Sequence, residues 1–273
     1  VEKGDKMKTT NLLIIDPQRD FCNQNGSLYV KGSENDMNRL GEFISKNKMK
    51  IAKIFVSMDT HNYFQIFHPL FWKNKNGEHP SPFTVITSKD IEDKKWEVTN
   101  KFYEEDSLFY LKRLEYEGKT KLIIWPYHCI VGTEGHLIEE VLNSALADWT
   151  LSKEAPIEYI LKGKNIITEQ YSMLKAEIVD VNDESTKVNV DFIRKISLGD
   201  NPVLFIAGEA LDYCVYNSVK DIKWHLGVGT KKVDLVMFED CMSAIDPVSV
   251  DKIKKEFIDL GIKFTTIDKV EWE

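Results

Sequence analysis

Short, unbroken apolar runs alternate along this chain with longer stretches in which apolar residues recur every three or four positions. Val203 to Ala207 is one such run, long enough for a single buried strand. Gly208 interrupts it, as a tight strand-to-helix turn requires. From there the spacing becomes helical, with Leu211, Val215, Val219 and Ile222 on one face. Further strands are expected at Asn11 to Ile15, Ile51 to Met58, Lys121 to Trp125, Ile157 to Leu161, Val233 to Phe238 and Lys263 to Ile267.

Helical spacing fills most of the intervals. A helix capped by Ser33 should run to about Lys46 with Met37, Leu40, Phe43 and Ile44 inward. Gly135 to Trp149 reads as another, with Leu137, Ile138, Val141, Leu142 and Leu146 inward. Leu108 to Tyr116, Tyr171 to Leu174, Val188 to Ile196 and Pro247 to Leu260 complete the set. Strand and helix in alternation imply a mainly parallel sheet with helices on both faces, an α/β chain.

One stretch breaks the rhythm. Residues 62–120 have poor periodicity but hold Phe64, Phe67, His68, Phe71, Trp72, His79, Trp96, Phe102, Tyr103, Phe109 and Tyr110. That is too aromatic for a disordered linker. The expectation is a structured insertion, with Phe64 to Trp72 closing over the rim of a site and narrowing it to a small planar ligand.

Composition narrows the class. The chain has 273 residues and 42% hydrophobic content, and no Pro/Gly/Ser-rich linker divides it, so one domain from about residue 7 to 273 is expected. Its net charge of -8 argues against nucleic acid or an anionic membrane as the main partner. No apolar run approaches spanning length. The charged stretch before Thr10 lacks the apolar core of a secretory signal, and Met7 is a candidate natural start. Cys22, Cys129, Cys214 and Cys241 are widely spaced, which fits free thiols in a reducing cytoplasm.

The chemistry sits where the strands end. Asp16, Asp59, His61, His128, Lys162 and Cys214 each fall at or just past the end of an expected run or its turn, Asp59 and His61 at the same one. In an open parallel sheet those ends share one edge. Taken singly, each residue has an ordinary explanation as a turn residue, a solvated charge or a buried thiol. Six on one rim point to a site. Cys214 would lie in the first turn of a helix, where unpaired N–H groups favour a thiolate and could hold an oxyanion.

These residues also carry a resemblance. Asp16-Pro17-Gln18-Arg19-Asp20-Phe21 resembles an opening D-x-Q-x-D-F motif, and Asp59-Thr60-His61 a D-x-H metal motif. Trp125-Pro126-Tyr127-His128-Cys129 with Gly132, Thr133 and Gly135, then Lys162-Gly163 with Tyr171-Ser172, and finally Gly208 to Val215 follow in the same order. The set is similar to the isochorismatase-like cysteine hydrolase superfamily, and within it to the nicotinamidases.

The resemblance implies a three-layer α-β-α sandwich around a sheet of about six strands. It implies an amidohydrolase in which Asp16, Lys162 and Cys214 act as a triad and nicotinamide becomes nicotinate plus ammonia through a Cys214 thioester. It implies a cis peptide between Glu209 and Ala210 beside the oxyanion, and Phe21 and Trp125 against the substrate ring. Asp59, His61 and His128 would hold one divalent transition metal, zinc first with iron or manganese as alternatives; His68 is a further candidate ligand and His79 a weaker one. Homo-oligomerisation stays open.

The chain departs from the compact nicotinamidases at Glu209, at Lys164, in the insertion 62–120 and in the loop 180–186. Two other readings therefore stand beside the first: an amidase of the same mechanism for another small amide or carbamoyl compound, and a non-catalytic member of the fold. Ether-cleaving isochorismatases, which lack the nucleophile, are disfavoured by Cys214.

Overall fold

The computed structural model describes residues 8–118, 120–227 and 232–272; Met7 and the stretch before it lie outside them. Six strands form one all-parallel sheet: β1 (Thr10–Ile15), β2 (Lys53–Asp59), β3 (Glu158–Lys162), β4 (Val203–Gly208), β5 (Asp234–Phe238) and β6 (Lys263–Thr265). Their spatial order is β6-β5-β4-β1-β2-β3. The chain thus crosses back over β1 after β3, which makes the ends of β1 and its neighbours the topological switch point where such sheets place chemistry.

The core explains why β1 is apolar from Leu12 to Ile15. Leu13 and Ile15 face one layer; Leu12 and Ile14 face the other. The first layer receives helices α2 (Glu104–Glu117), α4 (Val190–Ile196), α5 (Tyr216–Leu226) and α6 (Val250–Asp259). The second receives α1 (Ser33–Asn47), through Met37, Leu40, Phe43 and Ile44, and α3 (Glu140–Lys153), through Leu142, Ala145, Leu146 and Trp149. A strand buried on both faces shows no alternation, so unbroken runs were its correct signature.

Several sequence expectations shift. Lys121 to Trp125 does not enter the sheet: β3 occupies the position beside β2, and Leu122–Ile123 pairs antiparallel with Val85–Ile86. The helix expected from Gly135 begins only at Glu140, because the preceding turn is tied to the segment after β1. Arg19 N donates to Leu137 O and Glu139 N to Pro17 O. Leu137 and Val141 are exposed as a result. Tyr171 to Leu174 is a bend rather than a helix, with Met173 N donating to Ser218 Oγ on α5. Gly32, not Ser33, occupies the cap position of α1, while Ser33 Oγ donates to Phe21 O and Val30 O.

The insertion is core, not lid. Ile66, Phe67, Phe71 and Trp72 are fully buried, in the same cluster as Leu13 and Phe55. Trp72 Nε1 donates to Ile66 O, and the Phe67 ring lies 4.8 Å from that of His61. The segment supports the site from behind and contributes no wall to the cavity beside Cys214. Among the described residues no helix is long and apolar enough to cross a membrane.

Candidate active site

Strand register sets the geometry. Asp59 and Lys162, the last residues of β2 and β3, are direct partners. Ile15 pairs with Gly208, and a Cβ on Gly208 would lie 2.0 Å from Ile15 O, so only glycine lets the two strand ends close. Asp16 follows with φ 46°, a left-handed conformation that aspartate tolerates. Cys214 comes from a π-helical turn, Leu211–Val215, rather than a regular first turn, and the Glu209–Ala210 peptide is cis as the resemblance implied.

These ends bring the expected triad together without solvent. Lys162 Nζ donates to Asp59 Oδ1 at 2.5 Å and to Gln170 O at 3.1 Å. It lies 2.9 Å from Asp16 Oδ2 and 3.5 Å from Cys214 Sγ. Ser57 Oγ donates to Asp16 Oδ1 at 2.7 Å. Lys164 is exposed and stays outside the group.

The electrostatics differ from the simple expectation of a resting thiolate. Burial pushes the Cys214 thiol well up, and the Lys162 ammonium opposes that without reversing it. The reason is local charge: one ammonium faces two carboxylates. Burial likewise raises Asp16 against the pull of Lys162. Burial would raise Asp59 too, but Lys162 and then His61 hold it below the usual carboxylate range. Lys162, despite burial, is pushed well up by Asp16 and Asp59.

Three histidines converge beside this group. His61 Nδ1 donates to Gly163 O, His128 Nδ1 to Pro126 O and His68 Nδ1 to Asn62 O, at 2.8 to 2.9 Å. A carbonyl only accepts, so each ring carries its proton on Nδ1 and offers Nε2 as a ligand atom. Ligand atoms of Asp59, His61 and His128 all lie within 4.8 Å of one another. One carboxylate and two imidazoles suit a divalent transition metal. Burial and His61 lower His128 to about 4, so it stays neutral. The His68 ring is 5.8 Å from both others and outside that group, yet its Nε2 is buried with no partner. His79 is exposed, bonded to Trp72 O, and takes no part.

A cavity of about 30 Å³ adjoins Cys214. Phe21, Trp125, Tyr171 and Tyr213 line it with Leu28, Ile245, Ala210, Asp59, His128 and Glu169. Phe21 and Trp125 thus both line the cavity beside Cys214. Larger surface hollows, such as that between Lys8, Phe264 and Trp272, hold none of this chemistry.

Sequence reasoning missed some of the supporting residues. Gln18 grips the Asp59 backbone twice: Asp59 N donates to Gln18 Oε1 at 2.7 Å and Gln18 Nε2 donates to Asp59 O at 2.8 Å. Asp20 Oδ2 accepts Cys129 N at 2.7 Å and so holds the turn after His128. Glu169 is buried on the cavity wall with Oε2 unpaired, and burial raises it to about 7. Gln18 and Asp20 were visible as motif letters without a role; Glu169 lay between two matched segments and carried no pattern of its own.

No protein-family profile matches the chain. A nicotinamidase from Saccharomyces cerevisiae is 26% identical over 253 residues, covering 92% of this chain and 95% of that protein. The solved yeast nicotinamidase superposes with a TM-score of 0.64 at 20% identity, covering 94% of this chain and 99% of its own. The chain shares the fold of these nicotinamidase structures. An L. infantum protein solved with nicotinate shares this fold, with a TM-score of 0.62 at 18% identity and 98% of each chain covered. A Pyrococcus horikoshii pyrazinamidase solved with zinc does so at 0.56 and 19% identity, covering 94% of this chain and 99% of that one.

Proposed function

We propose that this protein is a metal-containing cysteine amidohydrolase that converts nicotinamide to nicotinate and ammonia. The observation that carries the proposal is the single buried ammonium of Lys162 in reach of Asp16, Asp59 and Cys214 at once. An ion group of that kind is costly to bury and contributes little stability, which points to chemistry.

In this reading Asp16 takes the proton of Cys214 as the sulfur attacks the amide carbon. Lys162 stabilises the charge in transit. The oxyanion rests on the N–H groups of Ala210 and Cys214. Asp16 returns the proton to the departing ammonia, leaving an acyl group on Sγ. Water then attacks the thioester with Asp16 accepting its proton; the C–S bond breaks, Asp16 returns that proton to Sγ, and nicotinate leaves. Phe21 and Trp125 hold the ring between them.

Asp59, His61 and His128 would hold the metal, for which zinc fits the donor set. Bound there, it would supply a positive Lewis-acid site beside the cavity and offset the excess carboxylate charge. Such a reaction belongs to nicotinamide salvage, and four free thiols fit a cytoplasmic setting.

Ammonia release from a panel of small amides, with and without a chelator, tests this. Turnover of nicotinamide, weakened by chelation, is the expected result. Turnover confined to carbamoyl or ureido compounds would reassign the substrate, and no turnover of any amide would reject the enzyme reading.

A further inference from the structure

Glu209 is fully buried, yet it lines no part of the cavity. It sits directly behind Ala210, which does. Its Oε2 accepts Ser243 N at 3.0 Å. Its Oε1 has no hydrogen-bond partner. Another buried carboxyl, that of Asp36 on α1, meets it at Ser243, whose N–H donates to Glu209 and whose Oγ donates to Asp36.

The donors around these two acids are unequally divided. Asp36 Oδ1 accepts Arg39 Nη2 and Oδ2 accepts Ser243 Oγ, each at 2.5 Å. Asp36 thus has a cation and a hydroxyl; Glu209 has one amide. Two ionised carboxylates in contact without water would repel strongly, and one counter-charge serves only one of them. Other groups facing Glu209 add no positive charge: Cys22 from the turn after β1, Cys241 from the turn after β5, and Asp212 from its own turn.

We propose that Glu209 is held as a neutral carboxylic acid that donates from Oε1 to Asp36, and that this shared proton positions the turn carrying Ala210 and Cys214. The path is short. Ser243 N is fixed by Glu209, while Ser243 O accepts Leu211 N at 2.8 Å, so one residue staples the chain on both sides of Ala210. Ala210 O in turn accepts Tyr213 N and Val215 N at 3.1 Å, closing the π-helical turn around Cys214. Asp212 secures the same neighbour further on by accepting Ile245 N and Asp246 N. Glu209 is a positioning residue: it touches no reacting atom and acts through Ser243 and Ala210.

The sign of the pH effect follows. Burial first, then Asp36, raises the Glu209 carboxyl well above its ordinary value. A raised folded value means that stability from the proton is complete below the unfolded value near 4.5 and is lost as pH rises through the folded one.

The test compares Glu209→Gln with Glu209→Ala. Glutamine keeps both a donor for Asp36 and an acceptor for Ser243 N without a proton to lose. It should retain most of the wild-type kcat and lack the alkaline decline in thermal stability shown by the wild type. It should also lose the infrared C=O band of a buried protonated carboxyl. Alanine should lower kcat about 10-fold or more with KM changed less than 3-fold, the split expected when oxyanion geometry and not ligand binding is disturbed. Three results would overturn the proposal: equal impairment of both variants, an alanine variant with wild-type kcat, or an unchanged carboxyl band in the glutamine variant. The role in positioning rests on the amidase reading. The infrared and stability arms do not, so a protein with no amidase activity at all would reject that reading while the shared proton remained separately judged.

Discussion

Asp59 and Lys162 are register partners on adjacent parallel strands, and their side chains meet at 2.5 Å with no solvent between them. The pairing welds two halves of the site, because Asp59 also belongs to the histidine cluster and Lys162 to the Cys214 group. Replacing Lys162 with Met should leave Asp16 and Asp59 buried without a counter-charge. We expect a loss of about 3–5 kcal/mol in stability, the usual result of removing one partner from a buried ion group. Turnover should disappear with it. Urea unfolding and amide hydrolysis measure the two effects, and a variant of unchanged stability would contradict the charge balance described.

Cys214→Ala should cut kcat by more than about 10⁴-fold, the scale seen when a nucleophile of this kind is removed. Its effect on stability should be about 1 kcal/mol, as for loss of one buried heavy atom. Asp16→Asn should be similarly inactive. Residual turnover near the wild-type rate in either variant would exclude the proton path through Asp16.

The histidine cluster predicts about one divalent metal per purified chain. His61→Ala should abolish most of it, since that ring lies between Asp59 and His128. His68→Ala should lower the amount less, because His68 stands apart from the tight group. Metal analysis by mass spectrometry distinguishes these outcomes. Equal loss from both would make His68 a full ligand.

The cavity beside Cys214 is too small for an aromatic ring. About 30 Å³ is the share of one water, whereas benzene occupies a cavity of ~150 Å³. The wall must open, and its less buried members are Leu28, Tyr213 and Ile245. Ile245→Ala should widen the mouth and admit ring-substituted amides that the wild type rejects, while kcat for small amides changes little. A substrate range identical to the wild type would show that the pocket opens elsewhere.

How much of this was readable from the chain alone depended on periodicity. The inner sheet strands were legible because residues such as Leu12 and Ile206, in a sheet covered on both faces, leave unbroken runs. Lys121 to Trp125 gave the same signal for a different reason: it is buried by the insertion, not by sheet neighbours. Asp16, Asp59, His61 and Lys162 stood out because they sit at or just past strand ends, and register then brings those ends together. The charge state of Cys214 was not legible, because it depends on Lys162 being shared by two carboxylates. Glu169 and the meeting of Glu209 with Asp36 at Ser243 were invisible for a related reason: both depend on which distant segments the fold brings together.

The crossover that places β4 beside β1 also sets a schedule for synthesis. Thr10 pairs with Val203, so β1 waits until synthesis has passed Val203 before one of its edges is covered. Until then that edge is an apolar ribbon with unpaired amides, the kind of surface that recruits strands from other molecules. Substitutions that slow the closing of β4 onto β1, above all at Gly208, would therefore be felt first as poor yield from living cells, before any measurement of catalysis on the surviving protein.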